Sequence, residues 1–207
     1  MVRWQPAASE RLQKAALELF GSRGFDETTV ADIALAVGLT ERTFYRYFAD
    51  KREVLFSGQG EFEQLFLGAL AKTRGHTYPF DTVGRALSDV CSIFGPFTEE
   101  RRPYSRLRQA VILAHRELQE RELLKMHSLS RALGAALRER GVAEPTASLA
   151  AESGVMLFRL SFEQWVAPGE GRSLSAIEHD MFAELRAMTA TLQESSQVGS
   201  TRIVADH

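Results

Sequence analysis

The sequence predicts an all-α protein, and three observations carry that prediction. Apolar residues recur at i, i+3 and i+4 along nearly every stretch of the chain. No run alternates apolar and polar residues for long enough to make a strand. Ser, Thr, Asp, Gly and Pro fall between the periodic segments, where helices start and stop. About nine helices are expected, the first few short and the rest longer.

Ser9 can cap a first helix with Leu12, Ala15, Ala16, Leu19 and Phe20 along one side, and Gly24 suits the left-handed residue beyond its end. Thr29, with Asp32 three residues on, resembles a capping box. The helix it opens has Ile33, Ala34 and Val37 as its buried stripe. Gly38 breaks that helix and Thr40 caps the next. On a wheel of 3.6 residues per turn, Phe44 and Phe48 face inward. Arg42 and Arg46 fall on the opposite face, flanked by Thr43 and Tyr45, with Glu41 and Tyr47 at the boundaries.

Asp50 with Glu53 begins a longer helix that runs to Leu70, where Gly58 and Gly60 mark a place to bend or start again. Beyond Pro79, periodic segments follow at about 82–97, 103–116 and 120–140. Pro145 suits the start of a helix over Thr146–Val166. Ser173 opens another over Ser173–Leu192, with Ile177, Met181, Leu185 and Met188 in line. From residue 193 the chain is polar and aperiodic, so 193–207 is expected to be a disordered tail.

Composition narrows the function classes. The chain has 207 residues, 44% of them hydrophobic and 25% charged, with a formal charge of −2. That charge gives no whole-chain reason to expect nucleic acid, so any such binding must rest on where basic groups sit. Cys91 is the only cysteine, which excludes a disulfide framework and a thiolate zinc cluster. No apolar run reaches the roughly 20 residues that span a bilayer, and the N-terminus lacks a signal-peptide core. A reducing cytoplasm, without membrane attachment, is the expected setting. No His has Glu three residues before it, so a di-iron bundle is not expected. There is no P-loop, dinucleotide fingerprint, nucleophile elbow or Cys/His metal spacing. Neither catalysis, nor a metal, nor a cofactor is expected.

Two short helices joined by a tight turn at Gly38 form a helix-turn-helix, whose second helix can lie in a major groove. An Arg fork can bond guanine O6 and N7, and Thr or Tyr can reach phosphates or a thymine methyl. Lys51, at the start of the next helix, suits a phosphate. Basic and acidic side chains balance between residues 1 and 56, so affinity depends on placement.

Residues 9–56, carrying "RLQKAALELFGSRGFDETTVADIALAVGLTERTFYRYFADKREVL", resemble the N-terminal domain of the TetR family of bacterial transcriptional regulators. The resemblance implies a helix-turn-helix DNA-binding domain over 1–56 and a helical ligand-binding and dimerisation domain over 57–192. Thr29 would cap its helix and touch a phosphate. Arg42, Thr43 and Arg46 would project toward base edges, Tyr45 and Tyr47 would contact backbone, and Lys51 would clamp a phosphate. Family members often carry His where this chain has Tyr47. The implied partners are a near-palindromic double-stranded DNA operator and a second copy of the chain, joined through Thr146–Val166 and Ser173–Leu192. There the small residues Ala150, Ala151, Ser153 and Gly154 would admit the partner, and Leu149, Leu157 and Leu160 would form a seam.

The resemblance also implies a mainly apolar small-molecule effector that releases a repressor from DNA. Phe62, Phe66, Phe94, Phe158, Phe162 and Trp165 are candidates for lining its pocket, with Arg108 and His115 available to an anionic group. The alternative is a DNA-binding architectural or scaffold protein whose helical domain contacts other proteins. A buried cavity favours the first reading, and a solid core with a large exposed apolar patch favours the second.

Overall fold

The computed structural model describes residues 8–73, 78–92 and 97–203, with side chains described through residue 189. Ten helical elements follow in order: α1 (Ala8–Arg23), α2 (Val30–Ala36), α3 (Glu41–Tyr45), α4 (Glu53–Phe56), α5 (Gln59–Lys72), α6 (Pro79–Ser92), α7 (Arg102–Ala114), α8 (Arg116–Glu139), α9 (Thr146–Trp165) and α10 (Leu174–Ile203). One of them, α4, is a single turn of four residues. The chain is all-helical among its described residues.

Several boundaries differ from those the pattern suggests, each for a local reason. The helix expected from Asp50 to Leu70 starts again at Gly58, whose φ of 83° lies in the left-handed region that suits glycine. Asp50 Oδ1 accepts from the backbone N–H groups of Arg52 and Glu53, at 2.8 and 3.0 Å, and so fixes the entry into α4. Pro79 is the first residue of α6, where its missing N–H loses no helical bond. The backbone of α10 continues to Ile203, beyond the loss of period at residue 193, since no proline interrupts it there. Phe94 lies outside the described residues.

Two apolar cores form. The first gathers Leu12, Phe20, Ile33, Phe44, Phe48 and Val54 with Val111, Ile112 and Leu118. Thus α7 and the start of α8 complete a core whose other members come from α1–α4. The second gathers Phe66, Leu70, Val83, Leu87, Leu129, Leu133, Phe158 and Trp165 from α5, α6, α8 and α9, with Phe182 from α10. The small residues of α9 serve this core. A Cβ on Gly154 would lie 2.4 Å from Val83 Cγ1, so only glycine lets α6 approach so closely. Ala150, Ala151 and Leu157 are buried in the same chain, and among the described side chains Leu149, Met156 and Met188 are the large apolar residues of α9 and α10 left exposed.

Candidate nucleic-acid interface and the cavity behind it

A helix as short as α3 holds its shape only through its ends and its buried side. Thr40 caps it, accepting from the Thr43 N–H at 3.3 Å, and the two hydroxyls lie 3.1 Å apart. Phe44 is fully buried, with its ring 5.2 Å from that of Phe48. Arg42, Tyr45, Arg46 and Tyr47 are left on the exposed side, as the wheel requires. Arg46 Nη2 donates to the Tyr47 hydroxyl at 3.0 Å, and its guanidinium lies 4.9 Å from the centre of that ring. The pair forms one donor-rich unit.

Thr29 caps α2 with both halves of a capping box. Its hydroxyl accepts from the Asp32 N–H at 3.1 Å, and its own N–H donates to Asp32 Oδ2 at 2.9 Å. The Thr29 hydroxyl and then the Thr29 N–H hold the Asp32 carboxyl below its ordinary range against the opposing effect of burial, with a lesser contribution from Arg23. Lys51 takes a position the sequence does not reveal. Its Nζ donates to the carbonyls of Phe25, Asp26 and Thr28 at 2.7, 3.1 and 3.1 Å, above the Phe25 ring. Three donors meet three acceptors, so the ammonium ties the loop before α2 to the start of α4.

A cavity of about 290 Å³ opens between α5, α7, α8 and α9. Phe62, Phe97, Phe158, Phe162, Met126 and Ile112 form its apolar wall. Arg108, Glu122 and Lys125 line it as a connected group: Arg108 Nη2 donates to Glu122 at 2.6 Å, and Lys125 Nζ to Glu122 at 3.2 Å. Burial opposes ionisation of Glu122, yet Arg108 and Lys125 together hold its carboxyl below its ordinary range. Burial and the neighbouring Arg108 push the Lys125 ammonium down to about 8. Arg108 also reaches the other core, donating from Nε to the Leu55 carbonyl at 2.8 Å. Arg108 and Arg121 lie on the Phe56 ring, 5.4 and 4.7 Å from its centre. The single turn α4 is therefore clasped by side chains of α7 and α8.

Residues 12–57 match the family model described as bacterial regulatory proteins, tetR family. The chain is 44% identical over 81 residues to the transcriptional regulator TcmR of Streptomyces glaucescens, 39% of this chain and 36% of that protein. It is 33% identical over 111 residues to a protein named as the mycofactocin biosynthesis transcriptional regulator MftR of Mycobacterium tuberculosis, 52% of each chain. Residues 12–57 are therefore a TetR-family N-terminal domain. The matched segments span about a third and a half of the length of those two relatives. A solved structure of a transcriptional regulator from Pseudomonas aeruginosa PAO1 shares the fold, with a TM-score of 0.60 at 18% identity over 91% of this chain and 93% of that one.

The TetR-like fold brings together some candidate residues and separates others. Phe62, Arg108, Phe158 and Phe162 line the cavity. Phe66 stands behind them, fully buried, 4.8 Å from the Phe62 ring and 5.2 Å from that of Phe158. Trp165 does not reach the cavity: it is fully buried, with the Arg102 guanidinium 5.1 Å from its ring. His115 is at the junction of α7 and α8, 4.9 Å from the Phe25 ring and 3.5 Å from Asp26. Sequence reasoning misses Glu122 and Lys125. Their signal is present all the same, because both interrupt the apolar stripe of Leu118, Met126, Leu129 and Leu133 on α8.

Proposed function

We propose that this protein is a dimeric, sequence-specific DNA-binding transcriptional regulator, acting as a repressor that a small molecule in the α5–α9 cavity releases. The observation that carries the reading is the exposed face of α3, where Arg42, Thr43, Tyr45, Arg46 and Tyr47 surround a helix pinned by buried Phe44. Arg42 and the Arg46–Tyr47 unit supply forks for guanine and donors for phosphates. Thr29 and Lys51 already have partners inside the domain, so in this reading they shape the reading face. One short helix contacts few bases, which is why two copies are needed, set about 34–36 Å apart on a near-palindromic site. The exposed Leu149, Met156 and Met188 support association through α9 and α10.

The cavity supports the ligand-responsive reading over the scaffold one. In this reading α7 links the cavity to the DNA-binding half: Ile112 lines the cavity and belongs to the first core, and Arg108 bonds both Glu122 and Leu55. For release, the ligand must prefer the arrangement in which the two α3 helices are wrongly spaced. The cytoplasm is the setting this function requires.

Selection of duplexes from a random pool tests the reading. We expect enrichment of a two-half-site sequence, with Arg42→Ala weakening it by about 1–3 kcal/mol per half-site and leaving scrambled duplexes little changed. A pool that yields no preferred sequence, with protein that sediments as a monomer, would remove it.

A further inference from the structure

The charged group of the cavity is out of balance. Arg108 and Lys125 share the one carboxylate of Glu122, whereas Arg159 and Glu163, on the cavity's α9 wall, pair with each other at 2.7 Å. From α5, Glu63 accepts from Ser128 at 3.0 Å. One positive charge is therefore left beside aromatic walls: Lys125 Nζ lies 4.3 Å from the centre of the Phe62 ring, and its side chain is 11% exposed. A desolvated, uncompensated cation is costly, and an anion that enters with its own apolar body relieves that cost.

We propose that the cavity selects an organic anion, an apolar or aromatic body carrying one negatively charged group, with that group seated on Lys125 and Arg108 and the body against Phe62, Phe158 and Phe162. This rests on the reading of the cavity as a ligand site and names the chemistry of its ligand. The depressed Lys125 fixes the pH dependence. Its ammonium is the form that attracts an anion, so affinity is fullest below about pH 8 and falls as the pH rises through that value. Glu122, held below its ordinary range by Arg108 and Lys125, stays ionised through that interval.

Two fluorescent probes of nearly the same shape test the proposal: anilinonaphthalene sulfonate, which is anionic, and N-phenylnaphthylamine, which is neutral. For the intact protein near neutral pH, the sulfonate should bind at least about tenfold more tightly. Lys125→Met leaves Arg108 and Glu122 as a balanced pair, so it should fold, and it should bring the two probes to within about threefold of each other. Lys125→Arg should restore the preference, and raising the pH to about 10 should erase it in the wild type alone. Leu123→Trp, at the exposed rim, should weaken both probes by filling the mouth. Equal affinities in the wild type, or a preference that survives Lys125→Met, would overturn the anion while leaving the ligand site standing. Probes that bind neither protein, or that ignore Leu123→Trp, would instead remove the ligand site itself.

Discussion

The two cores of this protein treat charge in opposite ways. The first is apolar throughout, from Leu12 to Leu118, and its charged neighbours sit at the rim in satisfied arrangements: Arg23 with Asp32, Arg52 with Asp50, Lys51 on three carbonyls. The second has charge built into it, with Glu122 and Lys125 on the cavity wall and Glu178 only 2% exposed on α10. A core of the first kind holds one surface in one shape, as a DNA-reading face needs. A core of the second kind carries unrelieved electrostatic cost, which a ligand or a proton can relieve.

The largest expected effect tests the rigid half. Phe44→Ala should lower stability by about 3–5 kcal/mol in urea unfolding, because it empties a fully buried site beneath a five-residue helix. DNA binding should fail in the same variant at temperatures where it is still folded. A loss under about 1 kcal/mol would mean that the α3 face is not held by this core, and the contrast between the halves would break.

What could be read from the sequence follows the same division. The Thr29–Asp32 box and the inward Phe44–Phe48 pair depend on residues three and four apart, so periodicity and capping rules alone reveal them. Contacts between distant positions leave no such mark. Lys51 and its carbonyls are separated by 23 to 26 residues, and Arg108 and Leu55 by 53. Gly154 shows the limit well. Its small size announces a close approach, but only the fold says that Val83 of the same chain fills the space. For the same reason aromatic spacing points equally to Phe62, which lines the cavity, and to Trp165, which does not.

The next effect tests the charged half. Burial pushes the Glu178 carboxyl up to about 7, with a hydrogen bond from Ser88 opposing part of the shift. The folded protein therefore keeps a proton there that the unfolded chain releases near its ordinary 4.5. Stability should fall as the pH rises from about 4.5 to about 7, and the deficit should be complete above that. Glu178→Gln keeps the shape without the charge, and should be more stable than wild type by about 2 kcal/mol near pH 8. Near pH 4 the difference should nearly vanish. Thermal unfolding of both proteins across that range measures it, and a pH-independent difference would show that packing, not ionisation, sets the effect. The Cys91 thiol, pushed up by burial and then by Glu178, stays protonated throughout.

The smallest effect decides where Lys51 belongs. If its ammonium is part of the rigid half, its role is to tie three carbonyls between α1 and α2 to the start of α4. Lys51→Met keeps much of the aliphatic stem above the Phe25 ring and removes only the donors. Stability should then drop by about 1–2 kcal/mol, since the carbonyls of a half-buried loop can partly recover water as a partner. DNA affinity should weaken modestly, through a less well-defined face, while the dependence of log affinity on log salt keeps its slope. A phosphate contact behaves otherwise: losing one makes that slope shallower by about one, with little change in stability. Titrations at several salt concentrations separate the two cases in a single variant. A shallower slope with unchanged unfolding would move Lys51 from the support of the reading face to the face itself, and the first core would then share its charge with the DNA.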